Sequence, residues 1–328
     1  MSIIEQVTKR LEQLEGAGVA VPWSAARMAR GTAQARPSTP RESEFMAPVS
    51  EGPSNPDALV PSDLRKVTRI SQEVAESVQA TVSRPELQTS VTLDLERLRD
   101  TGYLVPDQVR SEMAEQFRHL KRPLLKNARA EAGAQGHRGS LIMITSAMSG
   151  EGKTFCSVNL AMSMAMEIDT AVILVDADVV RPSVFSRLGI DAKPVGLLDL
   201  LNNEELMLED ALVATNVPKL LLMAAGARSD RSTELLASTA MDRLLARLAN
   251  EYADHIVIFD APPLLLTTES SVLASKVGQV LVIVEASKTP RDSIRQAFAA
   301  VRNCPVVMSV LNKGDDPGDG RCYGYYYG

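Results

Sequence analysis

The pentapeptide Gly150-Glu151-Gly152-Lys153-Thr154 brings together two glycines, a cation and a hydroxyl, the residue types that wrap a phosphate group. Glycines let successive backbone N–H groups turn toward phosphate oxygens, and a helix N-terminus adds partial positive charge. A lysine neutralises the β/γ-phosphates and a threonine hydroxyl ligates magnesium. The wider loop runs from Ala147 to Thr154, with Ala147 where the common pattern has its first glycine. Two acidic motifs follow: Asp176-Ala177-Asp178 ends the apolar run Val172–Val175, and Asp260-Ala261-Pro262-Pro263 ends Ile256–Phe259. Carboxylates at strand ends can partner magnesium or accept a proton. A single such aspartate more often caps a turn, but three motifs in this order favour the chemical reading. At the far end, Tyr323, Tyr325, Tyr326 and Tyr327 are four of the chain's six tyrosines. Large rings side by side at a terminus fill no core. The tail therefore reads as a cluster of phosphoryl acceptors on the chain that also carries the phosphate grip.

These residues need a scaffold that delivers loops from one edge. Apolar runs predict strands at 140–146, 171–176, 219–224, 255–260, 279–284 and 306–311, and amphipathic spacing predicts helices at 108–131, 153–166, 233–250 and 291–302. Connections too long for hairpins give a βαβ rhythm. The expected architecture is α/β, a doubly wound, mainly parallel sheet of P-loop ATPase type, which binds ligands at the carboxyl ends of its strands.

A chain of 328 residues, 45% of them hydrophobic, suffices for one sizeable core and non-globular segments besides. The net charge of −6 argues against a general nucleic-acid-binding surface. Cys156, Cys304 and Cys322 form neither a disulfide framework nor a metal-ligand pattern, which suits a reducing, cytoplasmic compartment. No apolar run approaches the roughly 20 residues of a membrane span, so membrane association is expected through a partner. Ile3, Ile4, Val7, Leu11 and Leu14 predict an amphipathic helix over residues 1–18. Residues 19–107, with six prolines between Pro37 and Pro61, are expected to be mostly linker and partly disordered, with some local structure between Leu93 and Pro106. The catalytic domain is expected over 108–312, followed by a flexible tyrosine-rich tail over 313–328.

Taken together, the Ala147–Thr154 loop, both aspartate motifs and the tyrosine tail resemble those of the bacterial tyrosine autokinases of capsule and exopolysaccharide biosynthesis, whose kinase domain descends from P-loop ATPases. The resemblance covers about residues 108–328. Glu115, Arg118 and Lys121 match the three-residue spacing of the family's helix that joins protomers, with Lys121 where a second arginine is usual; the charge is kept but a bidentate contact is weakened. The N-terminal helix and long linker resemble the exosortase-associated branch. One further position departs from the family's pattern: Val180 stands where the second motif commonly has arginine, with Arg181 following it. Met148 stands where related positioning ATPases carry a second lysine, which points away from them.

The resemblance implies an ATP- and Mg²⁺-dependent kinase that phosphorylates its own tail at Tyr323, Tyr325, Tyr326 and Tyr327, in trans within a ring-like homo-oligomer. It implies a separate membrane chain-length-determinant protein as activator, a cognate tyrosine phosphatase, no nucleic acid, and a peripheral location at the inner face of the cell membrane. Ser149, Gly150, Glu151, Gly152, Lys153, Thr154 and Phe155 would line the nucleotide, with Asn312 near the adenine. Thr154, Asp178 and Asp260 would face the metal. Lys153, Asp176 and Asp178 would form the catalytic set, Asp176 accepting the tyrosine proton, and Glu115, Arg118 and Lys121 the oligomer interface. Asn312-Lys313-Gly314-Asp315 also matches a guanine-reading pattern, which four residues do easily by chance. The rival readings are a nucleotide-driven assembly or positioning ATPase and a non-enzymatic module that keeps the loop as a relic.

Overall fold

The computed structural model describes residue 87 and residues 89–108, 110–130 and 137–314. The expected N-terminal helix, the proline-rich stretch and the tyrosine tail lie outside the described residues. In chain order the elements are β1 (Thr89–Val91), α1 (Leu95–Asp100), α2 (Glu112–Ala130), β2 (Leu141–Ser146), α3 (Lys153–Ala165), β3 (Ala171–Asp176), α4 (Val184–Arg187) and α5 (Leu197–Asn202). They continue with β4 (Leu212–Thr215), β5 (Leu220–Met223), α6 (Ser232–Ala237), α7 (Thr239–Glu251), β6 (His255–Asp260), α8 (Glu269–Ala274), β7 (Gln279–Glu285), α9 (Arg291–Ala300) and β8 (Val306–Asn312).

The strands form one sheet in the order β1-β4-β5-β3-β6-β2-β7-β8. All pairings are parallel except β4 with β5. Every residue of β2 and of β6 is buried, as expected of central parallel strands covered on both faces. Alternate residues feed two cores. Met143, Ile173, Val257 and Phe259 face α5, α6 and α7, whereas Ile144, Leu174 and Ile258 face α1, α2 and α3. This is the doubly wound α/β sheet that the alternating pattern predicts. Because β6 lies between β2 and β3, the loops that leave these three strands emerge side by side. Asp176 and Asp260 are direct Cα partners across β3 and β6, and Ile144 partners Asp260 across β2 and β6.

Three departures from the sequence-based expectations have clear causes. The expected helix over 233–250 is two helices, because Ser238 is extended, accepts a hydrogen bond from Met241 N–H and donates one to Leu235 O at 2.7 Å; a serine satisfies an N-cap better than a helix interior. The short β4 and β5 pair antiparallel and close together, against the expectation of long connections throughout. The packed chain also begins before residue 108, so the linker boundary is corrected. β1 pairs with β4, Leu98 and Leu104 are fully buried, and Asn216 exchanges hydrogen bonds with both backbone groups of Leu93. Within this segment, Leu104 N–H donates to the buried Asn159 Oδ1 at 2.6 Å.

If this segment belongs to the core, Leu98→Ala lowers the stability of the whole domain by about 2–5 kcal/mol, read as a shifted midpoint of a single urea transition. An unchanged midpoint would mean that residues 89–105 sit on the domain without supporting it.

Candidate active site

The loop after β2 is held by its own side chains. Gly150 and Gly152 take left-handed backbone angles, φ +87° and +99°, and a Cβ on Gly152 would lie 2.1 Å from Asn312 Nδ2. Only glycine fits there. Ser146 Oγ donates to Met148 O at 2.7 Å, and Glu151 turns inward, accepting from Met148 N–H at 2.6 Å and from Thr289 Oγ1. Asn312 Nδ2 donates to Glu151 O at 2.8 Å, and Lys313 Nζ to Gly150 O at 2.7 Å. α3 then starts at Lys153 with no side-chain cap and no acidic residue in its first turn. Its N–H groups and partial positive charge are thus directed to an anion.

Not every residue expected to line the nucleotide points there. Glu151 braces the loop from inside instead of facing a ligand. Phe155 packs its ring on Tyr103 at a centroid distance of 5.2 Å, toward the segment before α2, leaving its backbone at the helix start. Asn312 lies against the loop backbone, beside Gly152.

The acidic motifs converge on α3. Lys153 Nζ lies 2.8 Å from Asp178 Oδ2 and 3.9 Å from Asp260 Oδ2. Asp260 accepts from Thr154 Oγ1 at 2.7 Å and from Ser157 Oγ at 3.0 Å. Asp176 Oδ2 accepts from the N–H groups of Ser183 and Val184 at 2.8 and 2.9 Å. Ser183 Oγ in turn lies 3.2 Å from Thr154 Oγ1. Sequence reasoning missed Ser157 and Ser183. Ser157 was findable, since it stands one helical turn after Lys153 and shares its face; Ser183 carries no local signal.

Burial sets the electrostatics. Asp176 is pushed up to about 7, first by burial and then by the charges of Asp260 and Asp178, against the lowering effect of its two backbone hydrogen bonds. Asp260 is raised too, chiefly by burial, while Lys153, Thr154 and Ser157 pull it down. Asp176 Oδ1 is buried and has no partner among the described residues.

The residues fit a triphosphate with magnesium. The glycine-built loop and the uncapped helix start offer N–H groups, Lys153 a cation, and the buried Thr154–Asp260 pair, with Asp178 on the far side of Lys153, the oxygens. Among the described residues no cluster of three or more His, Cys, Asp or Glu forms a metal cage. A magnesium ion bound mainly by substrate phosphates and one or two protein oxygens needs none.

The expected oligomer-interface residues divide. Glu115 and Arg118 pair with each other on the surface of α2, and His119 approaches Glu115 at 3.4 Å. Lys121 is only 5% exposed. Its Nζ donates to Ser163 O at 2.6 Å and pairs with Glu167 at 2.8 Å, so within the protomer it holds α2 onto the end of α3. The shorter ammonium reaches a helix C-terminus, where a cation is favoured. Among the described residues no helix is long and apolar enough to cross a membrane.

Comparison with known proteins agrees with this geometry. A family profile described as an AAA domain matches residues 139–305. The tyrosine-protein kinase YwqD of Bacillus subtilis is 30% identical over 186 residues, 56% of this chain and 76% of that protein. EpsB of Ralstonia nicotianae is 30% identical over 257 residues, which is 78% of this chain; the chain spans only 33% of that protein's length. Among solved structures, the kinase domain of VpsO superposes with a TM-score of 0.50 at 29% identity, covering 62% of this chain and all of that one. The kinase domain of the Escherichia coli tyrosine kinase ETK gives 0.57 at 22% identity, covering 74% and 95%, and so supports the fold.

The raised Asp176 gives a signed pH dependence. A carboxylate moved from 3.8 to about 7 binds a proton in the fold where the unfolded chain has lost it. Its contribution is fully present below the unfolded value and disappears as pH rises through the folded value. Asp176→Asn keeps an oxygen for Ser183 and Val184 N–H and removes the charge. Nucleotide-free Asp176→Asn should therefore gain thermal stability over the parent as pH rises from about 4 to about 7 and hold that gain without further increase at higher pH. Parallel melting curves would show that Asp176 carries its charge throughout.

Proposed function

The chain belongs to the bacterial tyrosine-kinase family of AAA-domain proteins, and from that premise we propose that it is an ATP-dependent tyrosine autokinase regulating exopolysaccharide polymerisation or export. Its acceptors are Tyr323, Tyr325, Tyr326 and Tyr327. The observation that carries this reading is the convergence of Lys153, Asp178, Asp260 and Asp176 at the ends of three neighbouring strands, with Asp176 Oδ1 left without a partner among the described residues. Met148, in the loop where a positioning ATPase has its second lysine, supplies no cation.

Phosphoryl transfer asks a protein to position groups and neutralise charge. Lys153, drawn from Asp178 to the β/γ-phosphates, and the N–H groups from Ser149 to Thr154 hold the donor. Thr154, Asp178 and Asp260 would hold magnesium, which supplies further positive charge to those oxygens. A tyrosine Oη attacks the γ-phosphorus; the new O–P bond forms as the bond to the β,γ-bridging oxygen breaks, and ADP leaves. Tyrosine has an unperturbed pKa of about 10 and is a poor nucleophile while protonated. Asp176 takes its proton, and the environment that raises its affinity for protons suits it to that task.

The remaining proposals concern assembly. We place the acceptor on a neighbouring protomer within a ring-like homo-oligomer, with Glu115 and Arg118 on exposed α2 as contacts. Lys121 would support that surface from inside. A membrane-bound chain-length-determinant protein serves as activator and a tyrosine phosphatase as the resetting enzyme, with the protein cytoplasmic and peripheral at the membrane. A solved structure of similar fold, that of the chimerical protein CapA2B2, is compatible with such a pairing. The apolar stripe from Ile3 to Leu14 and the proline-rich stretch motivate assignment to the exosortase-associated branch.

Lys153→Met should abolish tail phosphorylation, scored by mass spectrometry after incubation with ATP, while leaving the melting profile two-state and within a few degrees of the parent. Phosphotyrosine on purified Lys153→Met would remove the lysine from the mechanism. For transfer in trans, Lys153→Met with an intact tail is mixed with active chain whose four tail tyrosines are phenylalanine. Phosphate should appear on the inactive chain; its absence there, with the parent active, would restrict transfer to one chain.

A further inference from the structure

The stretch Asn312-Lys313-Gly314-Asp315 matches a guanine-reading pattern, yet its first two side chains are turned to the phosphate loop. Asn312 Nδ2 donates to Glu151 O at 2.8 Å and Lys313 Nζ to Gly150 O at 2.7 Å. Both carbonyls therefore face the end of β8. A trans peptide is planar, with its N–H directed opposite to its C=O, and among the described residues no peptide bond is cis. Holding Gly150 O toward β8 thus turns Glu151 N–H away from it, and holding Glu151 O does the same for Gly152 N–H. Among the described residues neither N–H has a hydrogen-bond acceptor. They are two of the N–H groups that a phosphate loop presents to an anion.

This brace is itself anchored. β7 and β8 pair in parallel to their last residues, Glu285 beside Asn312, and Ala286 N–H donates to Asn312 O at 2.8 Å. Lys313 then takes the left-handed backbone, φ +57°, which is uncommon for a residue with a side chain and persists only where the surroundings hold it. Its Nζ also pairs with Glu285 Oε2 at 3.2 Å, while Lys288 pairs with Glu285 Oε1 at 3.1 Å. Thr289 Oγ1 accepts from Glu285 N–H at 3.0 Å and donates to the Glu151 carboxylate. The loop after β7 thus holds the Glu151 side chain, and β8 holds its carbonyl.

We propose that Asn312 and Lys313 are positioning residues for phosphate binding: they fix the peptide planes on either side of Glu151, and through these planes set the affinity for a polyphosphate whatever base it carries. The proposal deepens the kinase reading above and rests on its nucleotide site. Glycine has more conformational freedom to lose than any other residue. Gly150 and Gly152 therefore supply the left-handed angles of the loop but not its order. Two hydrogen bonds from the end of β8 supply that order, so the N–H groups are aimed before the ligand arrives and binding has less ordering left to impose. The bond from Lys313 is charge-assisted, which makes it the stronger of the two. A base contact by either side chain would behave differently, because a ligand without a base would not register its loss.

The test is calorimetric titration of the full chain with magnesium ATP and with magnesium tripolyphosphate, which has the phosphates but no base. Lys313→Met should weaken both ligands alike, roughly tenfold, and Asn312→Ala should weaken both alike by somewhat less, each variant keeping the parental melting profile. Lys313→Arg should restore both affinities. Lys288→Met removes the same charge from beside Glu285 but no bond to the loop, and should leave both affinities unchanged. A loss there equal to that of Lys313→Met would assign the effect to charge alone and overturn the proposal. A loss confined to ATP, which would place the side chains on base or sugar, overturns it too, as does parental affinity in Lys313→Met. If Asn312→Ala does not fold, Lys313→Met, altered at a half-exposed side chain, carries the test. Should the parent bind neither ligand, the nucleotide site falls, and hydrogen exchange of residues 147–154 in the ligand-free chains still decides the brace. Faster exchange in Lys313→Met supports it and the parental rate refutes it.

Discussion

Two buried carboxylates placed opposite one another at the ends of adjacent strands set the terms for the rest of this molecule. Parallel pairing makes Asp176 and Asp260 direct neighbours, and the sheet and its helices keep water from both. Like charges in such a place repel and are poorly solvated, which is why both carboxyls hold protons more tightly than usual. The surrounding polar groups are arranged to limit that cost. Thr154 and Ser157 serve Asp260, the Ser183 and Val184 amides serve Asp176, and Lys153 lies between Asp260 and Asp178. Each of these donors belongs to the phosphate loop's helix or to the turn after β3. A polyanionic ligand at the loop would therefore compete for groups already committed to the carboxylates.

Helix α3 carries that arrangement into the core. Its N-terminus is free of side-chain caps and acidic residues, which suits it to an anion. Its C-terminal end is neutralised from two directions: Lys121 donates to Ser163 O, and Lys219 donates to the carbonyls of Glu167 and Ile168 just beyond the helix. Lys219 does so from a left-handed backbone, φ +66°, an uncommon conformation for a residue with a side chain. Between the ends nearly every side chain of α3 is buried. Helix α3 thus packs against the N-terminal segment through Phe155 and Asn159 and against α2 through Ser163, whose carbonyl accepts from Lys121.

The sheet edges divide the labour. Toward β8, Asn312 and Lys313 pin the loop backbone from outside. Toward β5, the short antiparallel pair ends the parallel run and leaves the carboxyl ends of β3 and β5 open as a cleft.

What could be read from the chain alone was whatever depends on a few consecutive residues. Strand ends at Ser146, Asp176 and Asp260, the glycine loop, the α/β rhythm and the family membership all follow from local pattern, because a buried parallel strand is a continuous apolar run and a phosphate loop is a contiguous stretch. Contacts between distant segments had no such signature. The pairing of β1 with β4 brings Val91 beside Thr215, residues that no periodicity connects. Glu151 looked like a loop residue facing ligand, yet Thr289, far along the chain, draws it inward. Lys121 matched an interface spacing, and only the approach of Glu167 and Ser163 turns it into the protomer. The cleft walls come from two segments joined through Gly196 and Ala224. Sequence thus determined which residues could do chemistry and on what scaffold. Tertiary structure decided which way their side chains face, because that depends on the neighbours folding brings within a few ångströms, and short-range pattern carries no record of them.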